Sequence, residues 1–457
     1  MVSDTMESTS GGQAGDQRIS RWARERRTPG STVLPILLVM AILALLPLAT
    51  ASVLFAIVAI ALAALIILVA TLGADRASTV LLTMAFGFAP LTNFAIGPKP
   101  IVLASFMLFA AFCLALPRMI HQRLHVPAPF LVGALLFTVM GLLATPRAIN
   151  AIEHLGYVIN GVIALALIPM ALVWMSPSTR QMWALMFSFG LGTCISTLYG
   201  LPTYTYRNPG FTYHPVALAY TAMLALSFVP YLLTLKQVRS RWLLVPPVIV
   251  IALIAVWTSG SRTSFVVLIA LSVLVPLLER SIRLGLAVVT TGVVLLPVVV
   301  TADTSSNSTS ALARLFGDGG ASNSDAVRLI TLDDGLRQIL DSPLLGNGFS
   351  TEHTYVIHNI YLQVLAATGI IGLIGLLLMF GALMVPLFRT SDPRRFLAYP
   401  AVAVVLAGPF QPNMTDHYLA MSLGLCLIAA VRVRPDATDA AAAPIERAPK
   451  FTSVRSA

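Results

Sequence analysis

Charged residues make up only 11% of the 457-residue chain, less than half of the roughly 25% typical of a soluble domain. Too little charge remains to coat a soluble surface. Cysteine is nearly missing. Cys113, Cys194 and Cys426 all fall within apolar runs, with no CxxC spacing and no partner in a loop. They read as small core residues, neither a disulfide framework nor a metal site. The centres of the apolar runs also lack Asp, Glu, Lys and Arg, the residues that usually mark a path for ions or solutes through a bilayer. There is no internal repeat.

What the chain has in excess is hydrophobic sequence, 57% of its residues. Apolar stretches lie near 33–50, 51–73, 77–95, 100–116, 127–144, 155–176, 181–200, 213–234, 242–258, 263–278, 283–300, 357–387, 396–410 and 416–432. At about 17 to 23 residues per span, these predict an all-α polytopic membrane protein with about 12 to 14 transmembrane helices. The weakest are the hairpin around Pro47 and the short stretch 396–410. A polar, Arg-rich segment precedes the first apolar run, whereas a signal peptide would begin its apolar region sooner, so the first helix is expected to be retained. Residues 1–31 and 433–457 are polar and aperiodic, and are expected to be disordered on the cytoplasmic side. Between them, 32–432 forms the membrane domain.

Charge sets the orientation. With the N-terminus inside, 22 of the 29 Lys and Arg residues fall on the cytoplasmic side, as the positive-inside rule requires. The seven outward ones are Lys99, Arg147, Arg207, Arg262, Arg314, Arg328 and Arg337. The formal charge of +10 is therefore a topology signal, and no nucleic-acid partner is implied. The largest outward loop, 301–356, is rich in turn formers at 301–310 and 317–324, a composition suited to a mobile lid. From Asp325 to Asp341, Leu329, Leu332, Leu336, Ile339 and Leu340 recur at helical spacing, and Pro343 ends the run. This predicts a short amphipathic helix on the outer membrane surface.

Polar chemistry collects at outer helix ends. Arg207 lies in Leu201–Pro215, whose tyrosines suit an interface, and Arg262 lies in Trp257–Ser264, where one span ends and the next begins. Two guanidinium groups there can clamp a diphosphate through bidentate, charge-assisted hydrogen bonds. Taken singly, each also fits a snorkelling or helix-capping arginine. His358 starts a helix beside the large loop, and its imidazole, titrating near neutral pH, suits a general base as well as a simple cap. His214 and His353 are weaker candidates. Asp333–Asp334 suits a divalent ion but equally the solvated face of the surface helix. Ser261 and Ser264 lack the ordered partners of a nucleophilic triad.

The motifs Ser342-Pro-Leu-Leu-Gly-Asn-Gly348, His358-Asn-Ile-Tyr-Leu-Gln363 with Thr368-Gly-Ile-Ile-Gly372, Gly260-Ser-Arg262, and Arg207 with His214-Pro215 resemble the O-antigen ligase and O-antigen polymerase superfamily. The resemblance covers about residues 200 to 390. It departs from the family where Val216 replaces a frequent Asn and in having up to two more spans than the usual twelve. The resemblance implies a metal- and cofactor-independent glycosyltransferase of the outer face of the cytoplasmic membrane. Its donor would be a glycan on a polyprenyl diphosphate, and its acceptor a glycan, lipid or protein hydroxyl. His358 would be the base, Arg207 and Arg262 would hold the phosphates, and Arg328 is a further candidate for that role. A transporter is the rival reading. It would be expected to show intramembrane charges or paired broken helices.

Overall fold

The computed structural model describes residues 53–93, 95–96, 101–202, 206–234, 238, 240–286, 289–290, 310–316, 321–349, 357–389, 393–411 and 414–431. The expected tails at 1–31 and 433–457, the first apolar stretch at 33–50, most of the stretch 283–300, His353 and the parts 301–309 and 317–320 of the proposed lid lie outside these residues.

The described elements are helical except for one antiparallel pairing of Ala95–Ile96 with Ile101–Val102. In chain order the helices are α1 (Val53–Leu72), α2 (Ala74–Phe88), α3 (Leu103–Met119), α4 (Ala128–Ala144), α5 (Ala151–Met175), α6 (Thr179–Gly200), α7 (Pro215–Thr234), α8 (Arg241–Thr258) and α9 (Arg262–Leu278). They continue with α10 (Ala311–Leu315), α11 (Ala321–Asp341), α12 (Ile360–Met384), α13 (Tyr399–Ala407) and α14 (His417–Ala430). Among the described residues, six helices are long and apolar enough to cross a bilayer. These are α4, extended to Arg147, α5 to α8, and α12, extended to Arg389. The chain is a polytopic helical membrane protein.

Local chemistry starts and bends these helices. Ser178 and Gln181 exchange side-chain-to-backbone hydrogen bonds at the head of α6, satisfying two N–H groups that a helix start leaves open. In α5 the helix widens to a π turn at Ile163–Leu167, just ahead of Pro169, whose missing N–H breaks the regular ladder. The weak stretch 396–410 becomes a continuous run of 3₁₀ helix (Pro393–Ala398), α13, and 3₁₀ helix again (Gly408–Phe410). At roughly 2 Å rise per 3₁₀ residue and 1.5 Å per α residue, such a run reaches about as far as the hydrocarbon is thick.

The core is built from close helix contacts around α14, which is buried from Tyr418 to Ala429. α4 and α12 touch backbone to backbone: a Cβ on Gly133 would lie 2.5 Å from the Gly375 carbonyl oxygen. Only glycine allows this approach, the usual device for helix association in lipid. Large apolar side chains such as Leu135, Leu142, Leu191, Val250, Val273 and Leu377 point outward, where acyl chains would solvate them. Cys113 is among the exposed residues, which corrects the expectation that all three cysteines lie in the core. α3 turns that side chain away from its neighbours, while Cys194 and Cys426 are buried.

Candidate active site

The site begins with a break in a helix. Gly369 interrupts α12 at φ 69°, ψ −176°, a conformation close to exclusive to glycine. A kink strands backbone groups that must find other partners, and the segment Ser342–Phe349 supplies them. Asn347 N–H donates to Ala366 O (2.8 Å), Gly348 N–H to Ala367 O (3.0 Å), and Ile370 N–H to Pro343 O (2.9 Å). The fit leaves no room for side chains, since a Cβ on Gly346 would lie 2.4 Å from the Ala367 carbonyl. The two glycine-bearing sequence motifs are thus halves of one backbone splice.

His154, fully buried on α5, holds the far side of this splice. Phe349 N–H donates to its Nδ1 at 2.9 Å, and Nε2 lies 2.7 Å from Gly141 O. With Nδ1 accepting, the proton sits on Nε2 and donates to that carbonyl. Phe349 stacks on the ring at 5.7 Å. The buried histidine is therefore a structural strut. Sequence reading missed it because nothing near residue 154 marks its partner at residue 349.

On the splice stands the start of α12. Asn359 accepts hydrogen bonds from Tyr361 N–H (3.0 Å) and Leu362 N–H (3.1 Å), so Asn359 is the cap and the preceding His358 is left to face a cavity of about 570 Å³. Arg262, Asp325 and Arg328 share its walls with Thr263, Thr331 and Asn359, and Val266, Leu329, Leu332 and Phe410 supply apolar surface. Ser261 caps α9 through the Ser264 N–H, and Gly260, at φ +64°, turns the chain so that Arg262 opens the helix. α11 lies against the segment before α12, with Gly335 packed near Ile357. This brings Arg328 to the cavity.

Asp325 ties these elements together. Both terminal nitrogens of Arg262 donate to its carboxylate, one at 3.0 Å, and Arg328 Nη1 lies 3.9 Å away. The Arg262 hydrogen bond, against some desolvation, holds the Asp325 carboxyl below the usual carboxylate range. Burial, and then the charge of Arg262, lower the Arg328 pKa from its ordinary value.

Arg207 is not among the cavity-lining residues but stands next to them. Its Nε donates to Ser259 O at 2.6 Å, at the turn that carries Arg262. Asn208, fully buried, fixes its loop through N–H to Thr258 O, Nδ2 to Thr197 O and Oδ1 to the Gly210 N–H. Burial pushes the Arg207 guanidinium down to about 10, helped by the fields of Arg314, Arg328 and Arg262 and opposed by Tyr206. Four guanidinium groups therefore share one field. Arg314, on α10, was not singled out from sequence. It is buried, 5% exposed, with Nη1 3.5 Å from the Tyr206 hydroxyl. Its only sequence signal was its place among the seven outward cations.

His214 caps α7, its Nδ1 accepting from Val216 N–H at 3.2 Å. Desolvation, then Arg207 and His358, lower its pKa. Asp333 pairs with Arg337 at 2.6 Å on the outer face of α11.

A polytopic helical bundle with a cationic, histidine-bearing cavity at one end of its helices suits chemistry on an anionic, membrane-borne substrate. Residues 247–377 match the family model described as O-antigen ligase. This match supports kinship of that part of the chain with the O-antigen ligase superfamily, a family of membrane glycan-transfer enzymes. The match includes Arg262, Arg328 and His358, while Arg207 and His214 precede it. No curated protein matches the chain.

Proposed function

We propose that the protein moves a glycan from a polyprenyl diphosphate carrier onto an acceptor hydroxyl at the outer face of the cytoplasmic membrane. The observation that carries this reading is the shared cavity of His358, Arg262 and Arg328, bordered by Arg207 and Arg314. A diphosphate is a good leaving group once its charge is neutralised, and guanidinium groups can do this in place of a metal. An alcohol is a poor nucleophile and needs a base.

In the proposed reaction His358 takes the acceptor hydroxyl proton as the oxygen attacks the anomeric carbon. The new glycosidic bond forms while the bond to the diphosphate breaks. The electron pair leaves on the diphosphate, held by Arg262, Arg328 and Arg207, and in-line attack inverts the anomeric configuration. The apolar wall of Val266, Leu329, Leu332 and Phe410 would pass the lipid chain sideways to the bilayer.

The test uses purified protein in nanodiscs with a polyprenyl diphosphate oligosaccharide and a panel of acceptors, following lipid diphosphate release and glycan size. Wild type is expected to transfer, and His358→Ala to lose at least about 100-fold in rate while still binding donor. A ladder of products would mean polymerase and a single addition ligase. Wild-type rates in His358→Ala would overturn the role of the base. Retained anomeric configuration by product NMR would overturn the in-line step, and no transfer by wild type would overturn the activity.

A further inference from the structure

The phosphate-binding arginines are already occupied. Asp325 is the single carboxylate among the described residues that line the cavity, and it holds Arg262 in the two-pronged geometry that a phosphate would take. It also lies 3.9 Å from Arg328, so one carboxylate spans a cation on α9 and a cation on α11. Donor binding that uses both arginines must displace it. Its side chain remains 46% exposed, so it can swing out toward solvent without being left as a buried, unpaired charge.

Charge explains what such an occupant accomplishes. A glycosylated polyprenyl diphosphate carries two formal negative charges, but in the lipid diphosphate left after transfer the oxygen that bridged to the sugar is terminal and adds up to one more. A pocket lined by two arginines, with Arg207 and Arg314 in the same field, therefore tends to hold its product more tightly than its substrate. An internal carboxylate competing for the same fork weakens both complexes but restores the resting pairing as soon as the product lifts away.

We propose that Asp325 is an internal stand-in for the diphosphate, displaced when the donor binds and returning to Arg262 to speed release of the lipid diphosphate product. This rests on the donor site proposed above. The carboxylate touches the phosphate-binding residues and not the reacting atoms, so it acts on turnover and not on the chemical step.

The test compares wild type, Asp325→Asn, Asp325→Ala and Asp325→Glu in nanodiscs of neutral lipid, with unglycosylated polyprenyl diphosphate as the binding probe. Asp325→Asn and Asp325→Ala are expected to bind it about tenfold more tightly, equivalent to about 1.4 kcal/mol. Their steady-state turnover and donor KM should fall together while the single-turnover rate stays at the wild-type level. Asp325→Glu, which keeps the charge, should behave as wild type. Unchanged or weaker binding in both neutral variants, or a single-turnover rate that falls with the steady state, overturns the proposal. Arg262→Ala with Arg328→Ala provides the separate check. If the double variant binds the probe as wild type does, the donor-site reading itself fails, whereas lost binding there with no gain in Asp325→Asn sinks only the stand-in role.

Discussion

Arg207 shows how a side chain outside the cavity wall still belongs to its electrostatics. Its guanidinium is charged below about 10 and neutral above it, whereas an ordinary arginine stays charged beyond pH 12. An anion that needs this charge should keep its affinity from pH 7 to 9 and lose it as the pH climbs through about 10. We expect binding of polyprenyl diphosphate, titrated from pH 8 to 11, to fall in that range in wild type and to show a smaller step in Arg207→Gln. Equal steps in both proteins would mean that Arg207 does not contribute. Sequence singled out Arg207, Arg262 and His358 because outward polar residues at helix ends are few, and Arg328 only through the family resemblance. It did not single out Asp325 or Arg314, because nothing local distinguishes them from other charged residues of a long polar loop. Their meeting depends on how α10 and α11 fold back over α9, separated from Arg262 by some 50 to 60 residues.

At the scale of elements, the break in α12 is the part on which the site stands. Gly369 has a positive φ, and an added Cβ would fall 2.0 Å from the Leu344 carbonyl oxygen. Gly369→Ala must therefore move the 342–349 segment as well as strain its own backbone, and is expected to cost about 3 kcal/mol or more. Gly381, in the same helix, meets nothing within 4 Å of an added Cβ, so Gly381→Ala should be neutral or stabilising by about 0.5–1 kcal/mol. Apparent melting temperatures in detergent would check the pair, and equal melting of the two variants would remove the splice from any account of stability. Hydropathy located α12 but not its kink, since apolar periodicity is blind to one positive φ. Helical spacing of apolar residues located α11, where Leu329, Leu336 and Leu340 are exposed at 66%, 46% and 80%. The helix starts at Ala321 and not Asp325, because Ser322, Asn323 and Ser324 read as turn formers and are drawn into the first turn instead.

At the scale of the whole molecule, the arginines sort to two ends of the bundle. At one end Arg147 donates to Ser342 and Arg207, Arg262, Arg314 and Arg328 gather around the cavity. At the other, Arg395 pairs with Glu279, which also accepts from the Tyr399 hydroxyl, while Arg389 closes the long helix that begins at Ile360. Even from the break at Gly369 to Arg389 the span rises by about 30 Å, enough to cross the hydrocarbon of a bilayer. The second group is the one that the positive-inside rule assigns to the cytoplasm. A protein with Cys113, Cys194 and Cys426 replaced by serine or alanine, carrying either Arg337→Cys on the solvated face of α11 or Arg283→Cys at the other end, tests the assignment. A membrane-impermeant maleimide is expected to label the position-337 variant in intact cells and the position-283 variant only after the membrane is broken. The reverse pattern would put the cavity on the cytoplasmic side, where a donor already carried across the membrane could not reach it.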